Sequence, residues 1–240
     1  MMPETGTKIS VVTATYNAAS HLPRLIRSLR NQTDKDFQWV VTDGASSDGT
    51  LELLRSIDDI DILVSSQADF GIYDALNRAV RLSSGDYYIV AGADDCFDDD
   101  AIANFRHAIE NSGADIVAAR ARYGDKCMKV KHGPSWLFAG FSFIAAHTLA
   151  SAIRKELHLK YGYYSRLYPI AADQHFVIRA CLGGASRVEA AFEAGEIGRG
   201  GVSSTDRIGN ATEIFRVQVV AGRSVLVQFL LFALRLLRAR

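Results

Sequence analysis

Apolar residues in the first half of the chain fall into two alternating kinds of segment. Short continuous runs rich in β-branched and aromatic residues span Ile9 to Ala14, Phe37 to Thr42, Asp61 to Val64, Tyr87 to Ala91 and Asp115 to Ala119. Such runs read as strands of a sheet buried on both faces. Between them apolar positions recur at helical spacing. Leu22, Leu25, Ile26 and Leu29 mark a helix from a Ser20 cap to about Asn31, and Leu51, Leu53, Leu54 and Ile57 mark a second. Ile72 to Leu82 and about Asp99 to Glu110 give a third and a fourth. The alternation predicts an α/β fold with a doubly wound, mostly parallel sheet and right-handed crossovers.

Beyond about residue 120 the pattern loosens. Trp136 to Ala146 reads as strand or loop, and Ala171 to Leu182 as a helix ended by Gly183-Gly184. Glu196 to Asp206 is a Gly/Ser-rich loop, and a last helix is expected from about Thr212 to the C-terminus. The expected organisation is one domain over residues 1–210 and an amphipathic helix over 211–240. Within the domain, 1–95 forms a nucleotide-type half and 96–210 an acceptor half.

Composition narrows the class. The 240 residues carry 27 Lys+Arg and 27 Asp+Glu. That balance argues against a nucleic-acid binder held by overall charge. Cys96, Cys127 and Cys181 are irregularly spaced and give neither a disulfide framework nor a CxxC metal site, which fits a reducing compartment. The polar start MMPETGTK lacks a secretory h-region, and no run of about 20 uncharged apolar residues suggests a membrane span. The first strand leads into Thr13-Ala14-Thr15-Tyr16-Asn17, without the GxGxxG of dinucleotide enzymes, and GxxxxGK[ST] is absent.

Candidate chemistry sits at strand ends, where open α/β sheets bind ligands. Tyr87 to Ala93 stops on Asp94-Asp95, and adjacent acids there suit a hard divalent cation bridging phosphates. The plainer alternative makes them caps of the next helix. The second strand runs into Asp43, whose carboxylate suits a base N–H or a ribose hydroxyl, before the turn Gly44-Ala45-Ser46-Ser47-Asp48-Gly49-Thr50. Asp48 reads better as a turn or cap residue. Asp69-Phe70-Gly71-Ile72-Tyr73-Asp74-Ala75-Leu76-Asn77 opens the third helix, its polar residues expected toward the cleft, although Asp69 alone would also serve as a cap.

Together, Ser10 to Asn17, Val40 to Thr50, Asp69 to Asn77, Ser84 to Asp95 and Ala171 to Phe176 closely resemble the family 2 glycosyltransferases of GT-A fold, particularly the capsule, exopolysaccharide and lipopolysaccharide branch. The resemblance spans about residues 8 to 205 and implies a Rossmann-like nucleotide half. It implies donor contacts at Thr15, Tyr16, Asp43, Asp69, Gly71 and Asp94. It further implies a metal motif at Asp94 and Asp95 holding Mn²⁺ or Mg²⁺, and a catalytic base at Asp173. Chemistry agrees with the carry-over. A divalent ion would neutralise the leaving diphosphate, and one carboxylate suffices to deprotonate an attacking hydroxyl. A single base without a nucleophilic partner implies one displacement with inversion.

The sequence departs from the family in three places. Gly92 stands where many relatives have Asp or Asn, leaving Asp94 as primary ligand; Ser66-Gln67-Ala68-Asp69-Phe70-Gly71 replaces SEPDKG; and the QxxRW of processive synthases is absent. The implied activity is non-processive transfer from a nucleotide-sugar, a UDP-sugar for preference, to a glycan or lipid-linked acceptor. A non-catalytic sugar-nucleotide-binding module is the alternative. His147 reads as an acceptor or metal contact, or equally as a core histidine. His175 points away from Asp173, and Asp206 or Glu196 would be the next bases in line. Val225 to Leu237 is apolar with a narrow stripe of Ser224, Gln228, Arg235 and Arg238. That helix would lie on the cytoplasmic face of the plasma membrane with Arg235, Arg238 and Arg240 meeting anionic headgroups, or pack on its own domain or in a homo-oligomer.

Overall fold

In the computed structural model, which describes residues 6–200 and 205–239, four parallel strands build the N-terminal half of the sheet. They are β1 (Ile9–Thr15), β2 (Phe37–Asp43), β3 (Ile62–Ser66) and β4 (Tyr87–Val90), in spatial order β3-β2-β1-β4. The sheet continues through β8 (Ser151–Arg154), β6 (Ile116–Tyr123), β9 (Arg187–Glu196) and β5 (Cys96–Phe97), with β7 (Lys126–Met128) hung on β6. The expected fifth strand, here β6, does not lie against β4. The antiparallel β8 is inserted between them, so β6 runs in the same direction as β4 without touching it. β6 then pairs in parallel with β9.

Period-two alternation sorts the strand side chains into two cores. From β1 and β4, Ile9, Val11, Tyr87 and Ile89 point to one face. There they meet α1 (Leu22–Arg30), α2 (Thr50–Arg55) and α4 (Ala101–Ser112) through Leu25, Leu54 and Phe105. Val12, Tyr88 and Val90 point to the other. That face packs on α3 (Ile72–Leu82), α6 (Leu157–Tyr161), α7 (Ala172–Leu182) and α8 (Arg207–Val220) through Leu76, Leu157, Phe176 and Val217.

Several boundaries differ from expectation for local reasons. Ser20 does not cap α1; the cap position is His21, which makes no side-chain cap bond, and Pro23 sits in the first turn, where its missing N–H costs nothing. Trp136 to Ala146 is neither strand nor loop alone, since it opens with the short helix α5 (Ser135–Phe138) followed by a 3₁₀ turn over Ala139–Ser142. The last helix is two helices, α8 and α9 (Val225–Ala239), broken where Gly222 takes φ 77°.

Two residues of the α9 polar stripe, Gln228 and Arg235, face the protein, Ser224 is exposed, and the side chains of Arg238 and Arg240 lie outside the described residues. Gln228 is fully buried and its Nε2 donates to the Trp136 carbonyl, while Arg235 Nη2 donates to the Leu137 carbonyl. With Gln218 Nε2 on the Ser135 carbonyl and Arg223 Nη2 on the Ser135 hydroxyl, the hairpin grips α5 by hydrogen bonds. Arg235 is thus held on protein rather than turned to headgroups, and Leu226, Phe229, Leu230, Leu234 and Leu237 are exposed. Among the described residues no helix is long and apolar enough to cross a membrane.

Candidate functional site

The loops after β1 and β2 are stitched together around Asp43. Its Oδ1 accepts from the Thr15 hydroxyl at 3.0 Å and from the Ser46 hydroxyl at 2.5 Å; its Oδ2 accepts from Ser46 N and from the Ser66 hydroxyl, both at 2.9 Å. Burial alone would raise this carboxyl, but the hydrogen bonds from Ser46, Ser66 and Thr15 outweigh it and hold it below the usual carboxylate range. Asn17 Oδ1 accepts from Ser47 N, and Asp48 accepts from Ala19 N and Thr50 N. Asp48 is therefore in a turn, as its sequence setting suggested, with Gly49 in the cap position of α2.

Tyr16, Asp69 and Gly71 border this nest. A Cβ on Gly44 would come 2.7 Å from Asp69 Oδ2 and 3.3 Å from the Tyr16 ring, so a side chain there would displace Asp69 from its present place. Tyr16 is 70% exposed, and Asp69 Oδ1 accepts from Gly71 N where α3 begins. Thr15 is buried with its hydroxyl committed to Asp43, which makes it a support of the nest rather than an open contact.

On the neighbouring strand, Asp94 and Asp95 lead into β5 rather than capping α4, whose cap position is Asp100. The two carboxylates differ. Asp95 is buried and both oxygens are taken, Oδ2 by Gly92 N and Oδ1 by Gly198 N, each at 2.7 Å. Burial raises its carboxyl to about 7, with the two backbone N–H groups opposing the shift and Asp94 adding to it. Asp94 accepts from Gly200 N through Oδ2 at 3.1 Å. A Cβ on Gly198 would fall 2.0 Å from the Asp94 carboxylate, so a side chain there would force that carboxylate to move.

A divalent ion bridging a diphosphate asks the protein for one or two carboxylates. A ligand role would fall first to Asp94 through Oδ1, since each oxygen of Asp95, the expected second ligand, already accepts one backbone N–H. Among the described residues no group of three or more His, Cys, Asp and Glu is placed to hold an ion by itself, so the substrate's own oxygens would have to complete the shell.

The third part of the site comes from α3 and α7. The polar residues of α3 do not face an open cleft as expected; they clasp the 164–173 segment. Asp74 pairs with Arg166 at 2.5 Å, and Asn77 exchanges two hydrogen bonds with the backbone of Tyr164. The Tyr73 hydroxyl lies 2.7 Å from Asp173 Oδ1 and 2.9 Å from the Ile170 carbonyl. Asp173 is in the first turn of α7 but is not its cap, which is Ala171. The competing bases have structural work: Glu196 pairs with Arg24 at 2.5 Å, and Asp206 caps α8 by accepting from Gly209 N. His147 is buried, and burial lowers its imidazole, opposed by the charge of Asp173; its Nε2 lies 2.7 Å from the Tyr164 hydroxyl. His175 is buried against the Tyr168 ring.

The sequence pattern described as Glycosyl transferase family 2 matches residues 10–167 of this chain, which takes in the Asp43 nest and the Asp94-Asp95 pair and ends before Asp173. The chain belongs to that family. This glycosyltransferase is 31% identical over 183 residues to a PGL/p-HBAD biosynthesis glycosyltransferase of Mycobacterium bovis, covering 71% of this chain and 68% of that one. Among solved structures it resembles S. aureus TarS 1-349 in complex with UDP-GlcNAc, with TM-score 0.72, 19% identity and coverage of 96% and 72%. It also resembles the mannosyltransferase PcManGT from Pyrobaculum calidifontis in complex with GDP-Man and Mn²⁺, with TM-score 0.73, 18% identity and coverage of 99% and 76%. At those identities the likeness establishes the fold, which for this enzyme is GT-A.

Sequence reasoning named the acids and missed their partners. Ser66, Tyr73 and Glu213 act through contacts far apart in the chain, whereas Ser46 is three residues from Asp43. Ser46, Ser66 and Tyr73 stood in stretches already singled out, but no signal pointed to Glu213.

Proposed function

We propose that this glycosyltransferase transfers a sugar from a nucleotide-diphosphate sugar, a UDP-sugar in the first instance, to a hydroxyl of a glycan or lipid-linked acceptor, with inversion and one sugar per encounter. The observation that carries the reading is the placement of Asp173. Tyr73, which holds it, lies two residues beyond Gly71 at the rim of the donor nest. The base of the attacking hydroxyl would thus stand beside the bound donor.

In this reading Asp43 and its hydroxyl partners present a rigid wall to the nucleoside, with Tyr16, Asp69 and Gly71 at the opening. Asp94 would hold Mn²⁺ or Mg²⁺, with Asp95 fixing the loop above it; the ion would offset charge on the departing diphosphate. Asp173 Oδ2 takes the proton of the acceptor hydroxyl as that oxygen approaches the anomeric carbon, and the sugar inverts because no second carboxylate intervenes. The exposed apolar side of α9 supports work against the inner face of a membrane, where lipid-linked acceptors lie; the other occupant of that side would be a second copy of the chain.

A thermal-shift screen of UDP-glucose, UDP-GlcNAc and GDP-mannose with and without Mn²⁺ tests the donor. A midpoint raised by one nucleotide-sugar, and raised further with metal, is the expected result. No shift with any of them would contradict the donor assignment.

A further inference from the structure

The turn that presents Asp173 is held from two sides by groups outside α7. On one side the Tyr73 hydroxyl reaches Asp173 Oδ1. On the other, buried Glu213 of α8 accepts from Ile170 N at 2.9 Å and Ala171 N at 2.7 Å, both through Oε2. Ala171 has no side chain with which to cap α7, so the N–H groups at its start need an outside acceptor. Among the described residues Asp173 Oδ2 accepts no hydrogen bond.

We infer that Tyr73 and Glu213 are positioning residues for Asp173, the inference resting on the reading of Asp173 as the base. A carboxylate has two equivalent oxygens, and a donor on one selects which is left for a substrate proton. Tyr73 engages Oδ1 and leaves Oδ2 open. Glu213 fixes the backbone on which the carboxylate rides, and so makes the C-terminal hairpin part of the reaction machinery. Glu213 is buried and Tyr73 half-buried, so the two contacts form away from bulk water, where a misplaced polar partner is costly. Since small errors in placement cost rate rather than binding, the signature is a loss in kcat with KM preserved.

The experiment measures nucleotide release from whichever of UDP-glucose, UDP-GlcNAc and GDP-mannose gives the largest thermal shift, water or an added sugar serving as acceptor. It compares wild type, Tyr73→Phe, Glu213→Ala, Glu213→Gln, Asp173→Asn and Tyr73→Phe/Asp173→Asn. Tyr73→Phe should lower kcat about tenfold with KM and thermal midpoint little changed. Glu213→Gln keeps an acceptor oxygen for both N–H groups and should retain most of the rate that Glu213→Ala loses. Adding Tyr73→Phe to Asp173→Asn should cost nothing further, because Tyr73 acts through that carboxylate.

Full additivity of the two losses, or kcat within twofold of wild type in both Tyr73→Phe and Glu213→Ala, would overturn the inference while leaving Asp173 as base. Near-normal turnover in Asp173→Asn would instead overturn the base reading itself. Crystal structures give a readout independent of turnover: the Asp173 carboxylate should turn or split between rotamers in Tyr73→Phe. An unmoved carboxylate would count against positioning. Should Glu213→Ala fail to fold, Glu213→Gln and Tyr73→Phe carry the test.

Discussion

Asp43 and Asp173 are carboxylates of one enzyme in opposite surroundings. Asp43 is sealed at the end of β2, with every oxygen engaged by a hydroxyl or N–H of the chain. Asp173 is half-buried at the start of α7 and meets one phenol. A fully satisfied carboxylate is a scaffold, since its free energy is already spent on holding loops; a carboxylate with a free oxygen retains capacity for a substrate. The same division separates Asp95 from Asp94. Saturation of hydrogen bonding, more than the presence of an acid, distinguishes the two kinds of site residue.

Removing the scaffold side should have the largest effect. Asp43→Ala strands four donors, the Thr15, Ser46 and Ser66 hydroxyls and the Ser46 N–H, and should destabilise the fold by about 4 kcal/mol, at roughly 1 kcal/mol for each. Chemical denaturation measures it. A loss below about 1 kcal/mol would mean that the nest reorganises and that the contrast with Asp173 is overstated.

Acid should loosen the side that carries Asp173. His158 is buried between Tyr88, whose hydroxyl lies 2.8 Å from Nε2, and the Gly162 carbonyl, 3.1 Å from Nδ1. Burial lowers its imidazole from 6.5 to about 4. The unfolded chain therefore binds the proton first. The stability contributed by neutral His158 is fully present above about pH 6.5 and is lost as pH falls toward 4, by up to about 3 kcal/mol. Thermal melts across that window should show a slope that His158→Gln flattens. An unchanged slope would assign the acid sensitivity to other groups.

Metal sharpens the comparison on the donor side. Mn²⁺ should tighten nucleotide-sugar binding about tenfold or more, and Asp94→Ala should remove most of that gain. Isothermal titration with and without chelator measures both. Equal affinities would remove the metal from the account.

The smallest effect on stability belongs to the outer side of α9. Phe229→Ser with Leu230→Ser should move the midpoint little, because both side chains are exposed. The same pair should release the protein from anionic liposomes if that side meets lipid. Liposome binding unchanged by the pair would leave self-association, measured by light scattering, as the cover for this surface.

The alternating strands and helices up to α4 were legible because each spans a whole run of one period. β8 was not, since Ser151-Ala152-Ile153-Arg154 is too short to show alternation and gains its place only by pairing with β4 and β6. β9 carried a signal that went unread: Val188, Ala190, Phe192 and Ala194 alternate with Glu189, Ala191 and Glu193. At the site, strand-end acids stood out as abrupt changes of polarity. What each acid does was not legible, because it depends on donors such as Ser66 and Gly198 brought in by the fold. The α9 stripe left a membrane, the domain and a second copy open for the same reason. Periodicity identifies a polar side and an apolar side, whereas tertiary contacts decide which of them faces the protein.

The central claim is that Asp173 is the open carboxylate that accepts the acceptor's proton. Its most direct test is turnover and donor binding of Asp173→Asn, measured side by side on the same preparation. Turnover should fall by about a hundredfold or more with the donor dissociation constant unchanged within about twofold. Turnover close to that of the wild type would contradict the claim.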